Sequence, residues 1–250
     1  MPNIPIGLQL YSVREDCARD LPGVLAAVAR MGYAGVEFAG YHGRTAPELR
    51  ALLDDNDLVC CGTHTALNTI LGDELERTAE FNQTLENKFL IVPGLARERT
   101  ESRAAWLETA RLFDEAAGRA AAHGMRVGYH NHSEEFRLLD GEMPWDTFFG
   151  HTRPEVVMQV DTGNMMHGGA DAAPFLERYP GRALTVHLKE YSATDPKALI
   201  GDGDVDWPEI FRLCESTGGT QWYIVEQESY AYPPLECVDR CLQNLRRMGK

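Results

Sequence analysis

The chain has 250 residues, 44% of them apolar, and a formal charge of −14. That length and apolar content suit one domain, 1–250, with a sizeable core. The excess of acid argues against a nucleic-acid surface, which needs basic patches, and against binding to anionic membranes. Ile6-Gly-Leu-Gln-Leu-Tyr11 reads as a first strand. Asp20-Leu-Pro22 then opens a helix, with Asp20 as its N-cap and Gly32 as its stop. Gly35-Val-Glu-Phe-Ala39 is the second strand and carries Glu37. Thr45-Ala-Pro-Glu48 has the pattern of a capping box and starts a second helix. Leu58 to Thr63 is the third strand and ends at His64. Residues 73–85 are helical. Phe89-Leu-Ile-Val92 is the fourth strand, stopped by Pro93-Gly94, and an Ala-rich helix fills 102–123.

The second half repeats the rhythm with a change at the strand ends. Met125 to Tyr129 runs into His130, Asn131 and His132, with Glu134 and Glu135 in the loop beyond. Val156 to Val160 ends in Asp161, Leu184 to Val186 in His187, and Trp222 to Val225 in Glu226. Helices are expected at 145–149, 173–179, 207–216 and 235–248. Eight strands alternating with eight helical segments call for a parallel sheet, and eight units close a (β/α)8 TIM barrel. A doubly wound sheet is the alternative, but no glycine-rich turn follows the first strand.

The six cysteines form no C-x-x-C pair, and Cys237 and Cys241 sit one helical turn apart as small hydrophobes. No apolar run is long enough to span a bilayer. The first residues have neither a basic segment nor a long apolar one, so the expectation is a cytoplasmic protein with free thiols. Asp202-Gly-Asp-Val-Asp206 starts like a calcium loop, but Leu213 stands where the closing glutamate belongs. No serine lies in a nucleophile elbow.

In a barrel the ends of strands five to eight lie side by side on one rim. His130, Asp161, His187 and Glu226 then converge on one divalent cation. Mixed nitrogen and oxygen donors suit Mn2+, Zn2+, Co2+ or Fe2+ better than Ca2+. His132 follows His130 by two residues and is a candidate acid or base. Lys189 follows His187 by two and is a candidate donor to a substrate oxygen. Glu37 and His64 would face the metal from across the mouth, Glu37 as a catalytic carboxylate and His64 as a substrate contact. Asn164, in the loop after strand six, and Glu135 are further candidates for substrate binding.

Gly128-Tyr-His-Asn-His132 with Glu135-Phe136, Asp161-Thr-Gly-Asn164, Val186-His-Leu-Lys-Glu190, Gly201 to Trp207 and Ile224-Val-Glu-Gln-Glu228 together resemble the bacterial sugar phosphate isomerase/epimerase family. The resemblance covers nearly the whole chain. It implies a xylose-isomerase-like barrel, a small sugar substrate and one divalent metal, Mn2+ or Zn2+ first, with Co2+, Fe2+ or Mg2+ as alternatives. The family's usual ligand set is Glu, Asp, His or Gln, and Glu. Asp161, His187 and Glu226 match the last three, and His130 stands in place of the first. Two carboxylates with neutral imidazoles leave a divalent site near neutral, which strengthens it as a Lewis acid. In the epimerases the first glutamate is also one of two opposed bases, so their mechanism does not transfer intact. The first expectation is a metal-dependent isomerase or epimerase working through an enediolate, with Glu226 as base. The alternative keeps the enolate but expels a β-substituent, as a lyase or dehydratase of keto-sugars does. A homo-oligomer is compatible with either. No phosphate cradle is evident, and a non-catalytic sugar-binding barrel is a third reading.

Overall fold

The computed structural model describes residues 4–250. Eight strands alternate with helices along the chain. They are β1 (Ile6–Gln9), β2 (Gly35–Ala39), β3 (Val59–His64), β4 (Phe89–Val92), β5 (Arg126–His130), β6 (Val157–Asp161), β7 (Thr185–Leu188) and β8 (Trp222–Val225). They form one closed parallel barrel in sequence order, and β8 pairs back onto β1. The strands are buried on both faces, as covered parallel strands must be, and their residues are accordingly apolar nearly throughout. Among the polar residues within them, Gln9, Glu37, His64, His130, Gln159, Asp161 and His187 belong to the site described below.

The helices are α1 (Arg14–Met31), α2 (Ala46–Asp54), α3 (Glu74–Thr84), α4 (Arg103–Ala121), α5 (Pro144–Phe149), α6 (Thr162–His167), α7 (Ala173–Arg178), α8 (Trp207–Leu213) and α9 (Pro234–Arg247). Thr45 and Glu48 make the expected capping box at the start of α2. Cys237 and Cys241 face the core from α9, and all six cysteines are buried and free. None of the described helices is long and apolar enough to cross a membrane.

Three expectations need correction. The first strand stops at Gln9, because the Gln9 side chain accepts the backbone N–H of Tyr11 at 2.9 Å and turns the chain into a 3-10 segment, Leu10–Val13. The first helix begins at Arg14, ahead of Asp20. Asp20 still works as a cap, since it breaks the helix (φ −154°, ψ 75°) and accepts the N–H of Gly23 at 3.0 Å. The stretch after strand six is the helix α6, not a loop. Asp161 caps it by accepting the N–H of Asn164 at 2.6 Å, so the same residue ends the strand and starts the helix.

One backbone irregularity serves the site. The β2–β3 register slips between Val36 and Glu37, a bulge that re-aims Glu37 beneath the rim. Facing it is Gly62, where any Cβ would lie 2.3 Å from a Glu37 carboxylate oxygen. Any side chain at that position in β3 would displace the Glu37 carboxylate from its present place.

Candidate metal and acid–base site

Strand register sets the first contacts. Asp161 lies directly beside His187 across β6 and β7, and His130 lies beside Gln159 across β5 and β6. Glu226 follows β8 immediately, its N–H bonded to the Leu188 carbonyl at 3.1 Å. Donor atoms of His130, Asp161, His187 and Glu226 all fall within 4.8 Å of one another, and all four residues are buried. The four strand ends picked from the sequence thus meet at one point.

Protonation follows from the neighbours. Burial and the surrounding cations hold the His130 imidazole well below its ordinary pKa, so it is neutral and has a lone pair to offer. His187 is opposite in kind. Burial opposes its charge, but Glu37 and Glu226 outweigh burial and lift it to about 10. Its Nε2 lies 2.5 Å from Glu37 Oε2, and its Nδ1 bonds Glu226. Burial drives Asp161 up to about 7, against the pull of Lys189. Glu226 goes the other way. Lys189 and His187 overcome its burial and hold it below the usual carboxylate range.

The donor set fits a divalent cation on two grounds. Two imidazoles and two carboxylates are the mix that transition metals accept. In addition, His130 Nδ1 and Asp161 Oδ2 are buried polar atoms with no hydrogen-bond partner. Such orphans are costly in a native core unless something pairs them. Glu37 then completes a familiar support. A His187 that ligates through Nδ1 keeps its proton on Nε2, where a carboxylate fixes ring and tautomer.

The remaining candidates fall into two groups. His64 and His132 line a cavity of about 510 Å3 together with Tyr11, Thr65, Gly94, His130, Glu226 and Glu228. The His64 ring stacks on that of His187 at 5.3 Å, and its Nε2 lies 2.8 Å from Gln159 Oε1. His132 is exposed at the mouth, its ring 5.2 Å from that of His130. The other group lies under or beside the cavity. Glu37 is fully buried, accepting from Gln9 Nε2 at 2.8 Å and Gln159 Nε2 at 2.9 Å as well as meeting His187. It is below the cluster rather than across the mouth, so a direct role as base is closed to it. Both Glu135 oxygens are taken, one by the Tyr129 hydroxyl at 2.5 Å and one by the His132 N–H at 2.9 Å. Its work is to hold His132 rather than to meet substrate. Asn164 is likewise engaged, its Nδ2 donating to the Asn131 carbonyl at 3.2 Å.

Lys189 is buried and pairs with Glu228, with its Nζ 3.9 Å from Glu226 Oε1. Glu228 was not singled out from the sequence, although its place two residues beyond Glu226 was the signal. Gln9 and Gln159 were missed as well; a glutamine inside an otherwise apolar strand marks each. Glu190 is a fourth omission. It accepts from the N–H groups of Tyr191, Gly201 and Val205 and from Trp207 Nε1, and so organises the whole Gly201–Trp207 loop. Two of the aspartates there accept backbone N–H groups, Asp204 from Ala193 at 2.8 Å and Asp206 from Glu209 at 3.3 Å.

The sequence pattern of the xylose isomerase-like TIM barrel matches residues 25–248. The chain belongs to that family. It is 23% identical over 244 residues to an inosose dehydratase of Erwinia tasmaniensis, covering 82% of this chain and 81% of that one. It is 25% identical over 269 residues to the rhizopine catabolism protein MocC of Rhizobium meliloti, covering 90% and 80%. The fold superposes on a sugar phosphate isomerase/epimerase from Parabacteroides distasonis with a TM-score of 0.85 at 23% identity, over 98% of both chains.

Proposed function

We propose that this barrel is a divalent-metal-dependent lyase of keto-sugars. In this reading it removes the proton α to a ketone and expels an oxygen substituent from the β carbon. The observation that carries the reading is the placement of acid and base. Both carboxylates in the cavity wall, Glu226 and Glu228, come from the end of β8. The facing wall, from β3 to β5, carries His64, His130 and His132 and no carboxylate in the cavity lining. An epimerase needs a base on each face of the carbon it inverts. An elimination needs one base and, opposite it, a group that can protonate a leaving oxygen, which histidine does near neutral pH. Relatives named inosose dehydratase support the choice of an elimination over an epimerisation.

Glu226 accepts the proton from the α carbon, and its low pKa keeps it ionised and ready to do so. A divalent cation held by His130, Asp161, His187 and Glu226 would act as a Lewis acid on the ketone, making the α proton acidic enough for so weak a base. Lys189 keeps Glu226 charged and turned toward the mouth. His132, whose backbone is pinned by Glu135, gives a proton to the departing oxygen. The C–H pair becomes the new C=C bond, the C–O pair leaves on oxygen, and the products are an enone and water or an alcohol. Glu226 then loses its proton to solvent and His132 regains one, so the enzyme is unchanged.

The test is product mass. Metal-loaded protein incubated with keto-sugars bearing a β-hydroxyl or β-alkoxy group should give an unsaturated ketone, lighter by water or by the alcohol. A product of unchanged mass and inverted stereochemistry would make it an epimerase and overturn the reading.

A further inference from the structure

A second cavity, of about 410 Å3, adjoins the first and shares Gly94 and His132 with it. Its walls differ in kind. Half of its lining is Leu95, Trp106, Tyr129, Leu138, Leu139 and Pro144, with Glu134, Glu135 and Arg137 among the rest, where the first cavity brings three imidazoles and two carboxylates together and has no tryptophan or leucine. Leu138 is 71% exposed, which core packing does not explain. The segment bearing it is held in place. Leu139 and Glu142 exchange both backbone hydrogen bonds, at 2.9 and 3.1 Å, and the Glu142 carboxylate accepts from Arg103 Nε at 2.8 Å and from Thr147 Oγ1 at 2.6 Å. Trp106 is fixed from behind, edge-on to Tyr129 and Phe148. This is a built chamber with a broad aromatic and aliphatic surface, and His132 stands at its junction with the reaction cavity.

We propose that the second cavity is the leaving-group subsite and that the group it takes is an apolar alcohol. The preferred substrate is then a keto-glycoside with an aromatic or aliphatic aglycone, not a keto-sugar that merely loses water. The inference rests on the elimination reading and sharpens it. A sugar ring with its α carbon at Glu226 presents its β oxygen toward the facing wall. Beyond His132 from there lies the second cavity, with Trp106, Leu138 and Leu139 in its wall. His132 at that junction is placed to protonate the glycosidic oxygen as its C–O bond breaks. The released alcohol keeps that proton, and the sugar leaves as the enone. Arg137 lines the chamber together with the carboxylates Glu134 and Glu135, and no lysine or arginine lines the first cavity. Both observations favour an uncharged substrate over a phosphorylated one.

Methyl and benzyl keto-glycosides of one sugar test the proposal, because their leaving alcohols are of similar acidity. Benzyl should be favoured in kcat/KM by about ten- to a hundredfold, the scale for burying one aromatic ring. Leu138→Asp should erase most of that preference by lowering kcat/KM for the benzyl substrate at least tenfold more than for the methyl one; Leu138 is on the surface, so the variant should fold. Binding of the unoxidised methyl and benzyl glycosides, read by calorimetry, repeats the comparison without any chemistry. If no keto-glycoside is cleaved but the benzyl glycoside still binds at least tenfold tighter, and Leu138→Asp removes the difference, the elimination reading fails and the subsite stands. Equal binding of the two glycosides, or a preference that survives Leu138→Asp, overturns the subsite whatever the reaction proves to be.

Discussion

Replacing Glu37 by glutamine probes how the fold holds the metal cluster, because Glu37 touches no candidate ligand but His187. Glu37 Oε2 accepts from Gln9 at 2.8 Å and meets His187 Nε2 at 2.5 Å; His64 Nε2 lies 3.2 Å away. Its Oε1 accepts from Gln159 at 2.9 Å. Gln9 is unable to flip, since its own Oε1 holds the Tyr11 N–H at 2.9 Å. The new amide must therefore put its oxygen in the Oε2 place and its NH2 against Gln159. Gln159 in turn must flip, and that breaks its 2.8 Å contact to His64. One buried polar group is left poorly paired, which costs about 1–3 kcal/mol. The carboxylate charge that fixes the His187 tautomer is lost as well. Outer supports of this kind are worth about tenfold to a hundredfold in metal affinity, or about 1.4–2.8 kcal/mol. We expect Glu37→Gln to bind Mn2+ or Zn2+ in that proportion more weakly in competition with a fluorescent chelator. The metal-stripped variant should also melt lower, by about 2–4 °C for each kcal/mol lost. Wild-type metal affinity and wild-type melting together would refute the argument that Glu37 acts through His187.

Asp161→Ala should abolish stoichiometric metal binding, and elemental analysis finding about one metal per chain in that variant would remove the cluster from the account. Metal uptake should release protons, because His187 and Asp161 are lifted to about 10 and about 7 and ligate only when deprotonated. The sign follows: affinity rises with pH, more steeply below about 7, where both groups give up protons, than between 7 and 10, where His187 alone does. A pH-independent affinity would contradict it. Lys189→Met should lower kcat and leave metal content intact, because Glu226 loses the ammonium that holds it ionised. An unchanged kcat would leave it only its pairing with Glu228 and Glu226.

The barrel was legible because each strand is a short apolar run closed by a polar or glycine-bearing turn, and Trp222–Val225 and Phe89–Val92 fall at the predicted bounds. α6 was hidden by its six-residue length and by Gly163 near its start, which reads as loop. The cluster was legible because its members end consecutive strands, and sequence spacing alone places those ends together. What spacing does not give is depth. Glu37 and His64 both belong to strands near the rim, yet a bulge and a glycine sink Glu37 beneath the cluster while His64 reaches the cavity. Glu135 looked available for the same reason, and only the fold shows Tyr129 rising from β5 to occupy it. The second cavity has no sequence signature, since its walls come from five separated segments.

The central claim is that Glu226 removes a proton next to a ketone and that a β oxygen then leaves. The most direct measurement follows a keto-glycoside with deuterium at the α carbon, comparing wild type with Glu226→Gln by mass spectrometry and NMR. The account predicts an enone that has lost the α deuterium, a primary isotope effect wherever proton removal limits the rate, and no enone or α-deuterium loss with Glu226→Gln. An enone or isomer that keeps the α deuterium on its original carbon, or cleavage of a substrate whose α carbon bears no hydrogen, would contradict it.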